Sequence, residues 1–109
     1  MKLKLNPWQR IMLTLAVGSL RGVNVATIRK AEKALDVLEL SPAEEKAIGL
    51  KRMPEGGFTW GQDKEDLVFD LEISDKEAAH VVRLAFQQFE GFDMEHRVLV
   101  KDLEVQLNP

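Results

Sequence analysis

The sequence predicts an α+β protein whose helices pack on one face of a small antiparallel β-hairpin. Three observations carry that expectation. Several segments repeat apolar residues at helical spacing behind good capping residues. The stretch GGFTWGQDKEDLVFDLEIS (Gly56 to Ser74) alternates apolar and polar residues on both sides of a Gly/Asp loop instead. With 109 residues, 45% of them hydrophobic and 30% charged, the chain suits one core and a single domain over residues 1–109.

The first helix is expected to start at Asn6, a strong N-cap, with Pro7 at the first helical position, where no backbone donor is needed. Trp8, Ile11, Met12, Leu15 and Ala16 then fall on one stripe, and Gly18 or Gly22 ends the helix. Asn24 caps a second helix in which Ile28, Ala31, Leu35 and Leu38 share a face, with Arg29, Lys30 and Lys33 largely elsewhere. Ser41 with Glu44, and Ser74 with Glu77, have the capping-box spacing of two further helix starts. The phrases around them, LELSPAEEKAIGL and LEISDKEAAHVVRL, are similar. They do not make a repeat array, which needs three or more units.

Between those starts, Phe58 and Trp60 alternate on one expected strand, and Phe69, Leu71 and Ile73 on the next. The polar run GQDKED would be the turn between them, and the helices would cover the apolar face. After Ser74 a helix carries Val82, Ala85, Phe86 and Phe89 and stops at Gly91. Asp93 would cap a last helix bearing Leu99, Leu103 and Leu107.

Lys2, Lys4 and Arg10 ahead of Ile11–Val17, with small residues following, have the order of a secretory signal. Pro7 and Trp8 interrupt the charged region and the apolar run is short, so one face of a helix is the better reading. No stretch approaches the roughly 20 apolar residues that span a bilayer. The chain has no cysteine, which excludes disulfides, thiolate metal sites and cysteine nucleophiles and fits a cytoplasmic protein.

Signals for catalysis are missing. Two of the three serines, Ser41 and Ser74, already serve as caps, and no G-x-S-x-G elbow, phosphate loop or dinucleotide fingerprint occurs. His80 follows Glu77, and His96 follows Asp93, at helical spacing three. Neither belongs to a diagnostic metal-ligand pattern, and helix-start electrostatics account for both. The expectation is no enzyme, no cofactor and no metal.

Charge is more informative. Up to Arg52 there are ten Lys/Arg against five Asp/Glu, a net +5; from Met53 onward five stand against thirteen, a net −8, and the whole chain carries −3. The acidic half would suit a basic protein partner, by direct contact or by imitating nucleic acid. The residues that would carry such contacts are Asp63, Glu65, Asp66, Asp70 and Glu72, and a free strand edge would offer strand addition. The alternative is a winged-helix-like DNA-binding regulator that turns Arg29, Lys30 and Lys33 to phosphates. Against it, the wing loop would be GQDKED, with three acids to one lysine, and SPAEEKAIGL carries two glutamates and one lysine and lacks the Arg/Asn/Gln set that reads base edges.

A leading helix, the Gly22-Val23-Asn24 turn into a second helix, LSPAEEKAIGL, GGFTW, and an alternating strand running into a helix follow one another over residues 13–103. This order resembles a group of small phage and prophage proteins of uncharacterised function. The resemblance implies a phage-type accessory protein in the cytoplasm of a bacterial host cell, and it brings no catalytic residue with it.

Overall fold

The computed structural model describes residues 1–109. Strand β1 (Lys2–Leu5) leads into helices α1 (Pro7–Gly18), α2 (Val25–Leu38) and α3 (Pro42–Ile48). Short strands β2 (Lys51–Arg52) and β3 (Phe58–Thr59), strand β4 (Phe69–Glu72) and helices α4 (Lys76–Gln88) and α5 (Arg97–Leu107) follow. The α+β class holds. Helices α1, α2 and α4 pack on one another, and α1, α2 and α5 meet the antiparallel β1–β4 sheet. Leu3, Leu5 and Ile73 from that sheet join Leu13, Leu38, Val82, Leu103 and Leu107 in the core.

Three helix starts form as the local chemistry dictates. The Asn6 side chain accepts from the Gln9 N–H at 2.8 Å, and the Gln9 side chain accepts from the Asn6 N–H at 3.0 Å. Asn24 accepts from the Thr27 N–H at 2.9 Å, and Ser41 and Glu44 close a reciprocal capping box. The fourth start lies one residue beyond its expected place. Asp75, not Ser74, caps α4, accepting from the Glu77 and Ala78 N–H groups at 2.9 and 3.0 Å. A carboxylate is a stronger acceptor than a hydroxyl and gains more from the positive end of the helix dipole.

The strand pairing differs from the sequence-based expectation. Phe58–Thr59 does not pair with Phe69–Glu72. It pairs with Lys51–Arg52, Lys51 facing Thr59 and Arg52 facing Phe58, and the hairpin turn is Met53–Gly57. Gly56 (φ 91°) and Gly57 (φ 87°) take left-handed angles that close this five-residue loop. The acidic run GQDKED is a connection between two sheets, containing a 3-10 turn at Gln62–Lys64, and not the hairpin turn.

β4 pairs instead with β1, in the register Lys2–Glu72, Leu3–Leu71, Lys4–Asp70 and Leu5–Phe69. The alternation of Lys2-Leu3-Lys4-Leu5 matches that of β4, so both strands turn apolar residues to one face. Leu3 and Leu5 are thereby buried. Phe58 and Trp60 are half-buried in the region of the smaller sheet, away from the main core.

The buried face of α1 is also rotated from the expected stripe. Leu15 is exposed and Trp8, Ile11 and Met12 are half-buried, whereas Gln9, Arg10, Leu13, Ala16 and Val17 are buried. The polar pair goes inside because each finds partners there. Arg10 Nε donates to the Leu38 carbonyl at 2.8 Å, and Nη2 to the Glu39 carbonyl at 3.1 Å and Glu44 Oε1 at 3.1 Å. Its guanidinium also lies 4.7 Å from the centre of the Phe69 ring. In α2, Ile28 is exposed rather than part of the core face, and Ala34 takes a buried position beside Ala31 and Leu38.

Replacing Arg10 by Ala strands the α2 carbonyls and Glu44 together. The expected loss is roughly 1–3 kcal/mol of unfolding free energy, the cost typical of leaving buried acceptors without a donor, because Glu44 itself is partly exposed and water can reach it. Urea unfolding of the variant measures it, and a loss below about 1 kcal/mol would show that water replaces the guanidinium without penalty.

Candidate functional site

The outer face of the β1–β4 sheet forms the floor of an open groove of about 910 Å³. Strand alternation places Lys2, Lys4, Asp70 and Glu72 on this floor, because their neighbours Leu3, Leu5, Leu71 and Ile73 point to the core. The connection before β4 contributes Glu65, Asp66 and Val68 to the lining, and α5 contributes Leu99, Asp102 and Gln106. The groove therefore holds five carboxylates against two lysines. Lys2 and Lys4 stand opposite Glu72 and Asp70 in register, yet no ion pair closes between them. Those carboxylates remain exposed.

A polar network fixes α5 beside the groove. Gln9 Nε2 donates to Asp102 Oδ2 at 2.8 Å and to the Leu99 carbonyl at 3.1 Å. Asp102 Oδ2 also accepts from Gln106 Nε2 at 2.7 Å. Held in this way, the Gln106 amide meets the backbone of Lys4 twice: Oε1 accepts the Lys4 N–H at 2.7 Å, and Nε2 donates to the Lys4 carbonyl at 2.9 Å. The side-chain amide thus satisfies the outer edge of β1 at Lys4 as a neighbouring strand would.

Of the five acidic residues singled out by the sequence, four line the groove: Glu65, Asp66, Asp70 and Glu72. Asp63 lies outside it, in the 3-10 turn, with its carboxylate 3.8 Å from the Lys64 ammonium. Lys2, Lys4, Asp102 and Gln106 complete the site and were not singled out. The alternation at residues 2–5 was the available signal for the two lysines; no local signal pointed to the α5 pair.

The basic residues of the alternative reading are placed differently. Arg29 is exposed and enters no ion pair. Lys30 reaches Asp75 and Glu77, each at 3.2 Å, and Lys33 reaches Asp75 at 3.3 Å. Two of the three cations therefore already face carboxylates at the start of α4. The Ala78 N–H first, and then Lys30 and Lys33, hold the Asp75 carboxyl well below the ordinary carboxylate range. The same contacts with Asp75 and Glu77 raise the pKa of Lys30.

Asp93, Glu95 and His96 bring their ligand atoms within 4.8 Å of one another. Capping accounts for the arrangement. Asp93 Oδ1 accepts the His96 N–H at 2.9 Å and lies 2.7 Å from His96 Nδ1, while the imidazole stacks on Trp8 with ring centres 4.4 Å apart. His80 makes no corresponding bond to Glu77 and is exposed. No helix is long and apolar enough to cross a membrane.

The Asp75 contacts carry a pH dependence of known sign. Its folded-state pKa lies below the unfolded value, so its contribution to stability is present above about pH 4 and is lost as pH falls through the folded pKa. Glu44, held low chiefly by Arg10, acts in the same direction. Asp75→Asn keeps a capping oxygen but removes the charge, so its urea midpoint is expected to fall less steeply than that of the unaltered protein between pH 5 and pH 2. Equal slopes would mean that neither the Ala78 N–H nor the lysines favour the ionised carboxylate in solution. No protein-family model, curated protein or solved structure matches this chain.

Proposed function

We propose that the protein works without catalysis, as a small accessory protein that holds a basic segment of a protein partner in the acidic groove over β1 and β4. One observation carries the reading: Glu65, Asp66, Asp70 and Glu72, from a connection and a strand, are exposed along one open groove together with Asp102. Five carboxylates about two lysines leave that surface negative, and clustered like charge favours an oppositely charged partner in both encounter rate and specificity. The resemblance to small phage proteins supports such a role, and on this reading the protein would act in the cytoplasm of a bacterial host cell.

The DNA-binding alternative draws on Arg29, Lys30 and Lys33. The engagement of Lys30 and Lys33 by Asp75 and Glu77 weighs against it, since phosphates would have to displace carboxylates already in place.

Tagged protein incubated with nuclease-treated host lysate tests the two readings together. A stoichiometric protein partner is expected, released by raised salt, lost with the pair Glu65→Lys and Asp66→Lys, and retained with Arg29→Glu. Loss with Arg29→Glu and retention with the acidic pair, together with DNA binding by fluorescence anisotropy, would replace the groove by the face of α2.

A further inference from the structure

The two long edges of the β1–β4 sheet are finished differently. Met1 and Ile73 exchange both backbone hydrogen bonds, at 2.7 and 2.8 Å. In an antiparallel ladder such pairs alternate, so Leu3–Leu71 and Leu5–Phe69 are also bonded pairs, whereas Lys2, Lys4, Asp70 and Glu72 direct their N–H and C=O groups away from the partner strand. On the β1 side, where only the terminal Lys2 is left open, Gln106 occupies both outward groups of Lys4. On the β4 side nothing does. No turn, cap or side chain bonds the backbone of Asp70 or Glu72, and both residues are exposed.

We infer that the outer edge of β4 receives an extended segment of the partner as a third strand, and that this segment alternates basic and apolar residues. The inference rests on the groove reading above and states how the groove is used. The two outward-facing residues of β4 provide two donors and two acceptors at the spacing of a strand. Side chains of an added strand alternate between faces. One set would lie beside Asp70 and Glu72 on the groove face, where Lys or Arg meets carboxylate. The other would lie beside half-buried Phe69 and Leu71, where apolar residues extend the core.

Charge also selects against a second copy of this chain. Antiparallel pairing of β4 with its own copy about a two-fold axis would set Asp70 and Glu72 of each chain beside those of the other, and like charges facing across strands destabilise the pair. An acidic edge of this kind deters self-association while leaving a basic strand favoured.

The test uses an alternating Lys-Val octapeptide, with an alternating Glu-Val octapeptide as control, titrated into the intact protein. Binding and amide hydrogen exchange are followed by NMR. The Lys-Val peptide is expected to bind and to slow exchange of the Asp70 and Glu72 amides, which should be fast in the free protein; the Glu-Val peptide should not bind. Glu72→Pro removes an outward donor without removing a bond to β1 and is expected to weaken binding about tenfold. Glu65→Lys with Asp66→Lys should weaken it through charge.

If the Lys-Val peptide binds and responds to the charge reversal, but the two amides exchange as before and Glu72→Pro binds normally, strand addition is wrong and the acidic groove stands. If neither peptide binds, or both bind equally, the groove reading fails as well. Protection of the same amides without peptide, rising with protein concentration, would make a second copy the occupant and overturn the inference. Should Glu72→Pro not fold, exchange at Asp70 and Glu72 in the unaltered protein decides alone.

Discussion

A guanidinium withdrawn from water needs acceptors around its planar fork, and Arg10, only 2% exposed, finds them in three different elements. Its α1 backbone is tied through the side chain to the last carbonyls of α2, to Glu44 in the first turn of α3, and to the Phe69 ring of β4. Glu44 does double service, since the same carboxylate closes the capping box with Ser41. The end of α2, the turn after it and the start of α3 are thus set relative to α1 by a single side chain. Because Phe69 opens β4, the position of the sheet depends on the same charge. The negative end of the α2 dipole adds to the attraction.

A second polar centre, smaller and nearer the surface, repeats this logic at the other end of the chain. Gln9 is buried beside Arg10 in sequence but faces α5, and through Asp102 it positions Gln106 against β1. Consecutive polar residues on α1 thereby hold opposite flanks of the molecule: Arg10 the α2–α3 side, Gln9 the α5 side. Both lie where an apolar stripe would normally be sought, and every buried side-chain donor and acceptor is satisfied.

That is why the sequence discloses some features and hides others. Asn6, Asn24 and Ser41 cap the helices they appear to cap, because a cap is decided within four residues of chain. The core faces of α4 and α5 are equally plain: Val82, Ala85, Phe86, Leu103 and Leu107 are all buried at the expected spacing. Strand pairing is a different kind of question. Phe69–Glu72 had an obvious neighbour in Phe58–Trp60, yet its partner lies at the opposite end of the chain, in a four-residue strand whose alternation is easily read as a charged leader. The nearer segment is satisfied by its own glycine turn with Lys51–Arg52. The acidic residues of the site were legible as a run of charge; their arrangement over a sheet was not, since β1 and α5 supply the rest of it.

The unequal edges of the small sheet follow from these same constraints. A two-stranded sheet has two edges to protect, and each unprotected one invites pairing. α5 can cover only the β1 side, because Gln9 and Asp102 anchor it there. The β4 side is left to electrostatics. Lys2 and Lys4 stand across from Glu72 and Asp70 without closing ion pairs, so they moderate the negative charge without neutralising it. A neutral edge would pair indiscriminately, and a lysine-bearing one would repel a basic segment. Carboxylates at Asp70 and Glu72, reinforced by Glu65 and Asp66 on the approach, oppose pairing of that edge with its own kind, and under the strand-addition proposal the same charge would favour a basic segment.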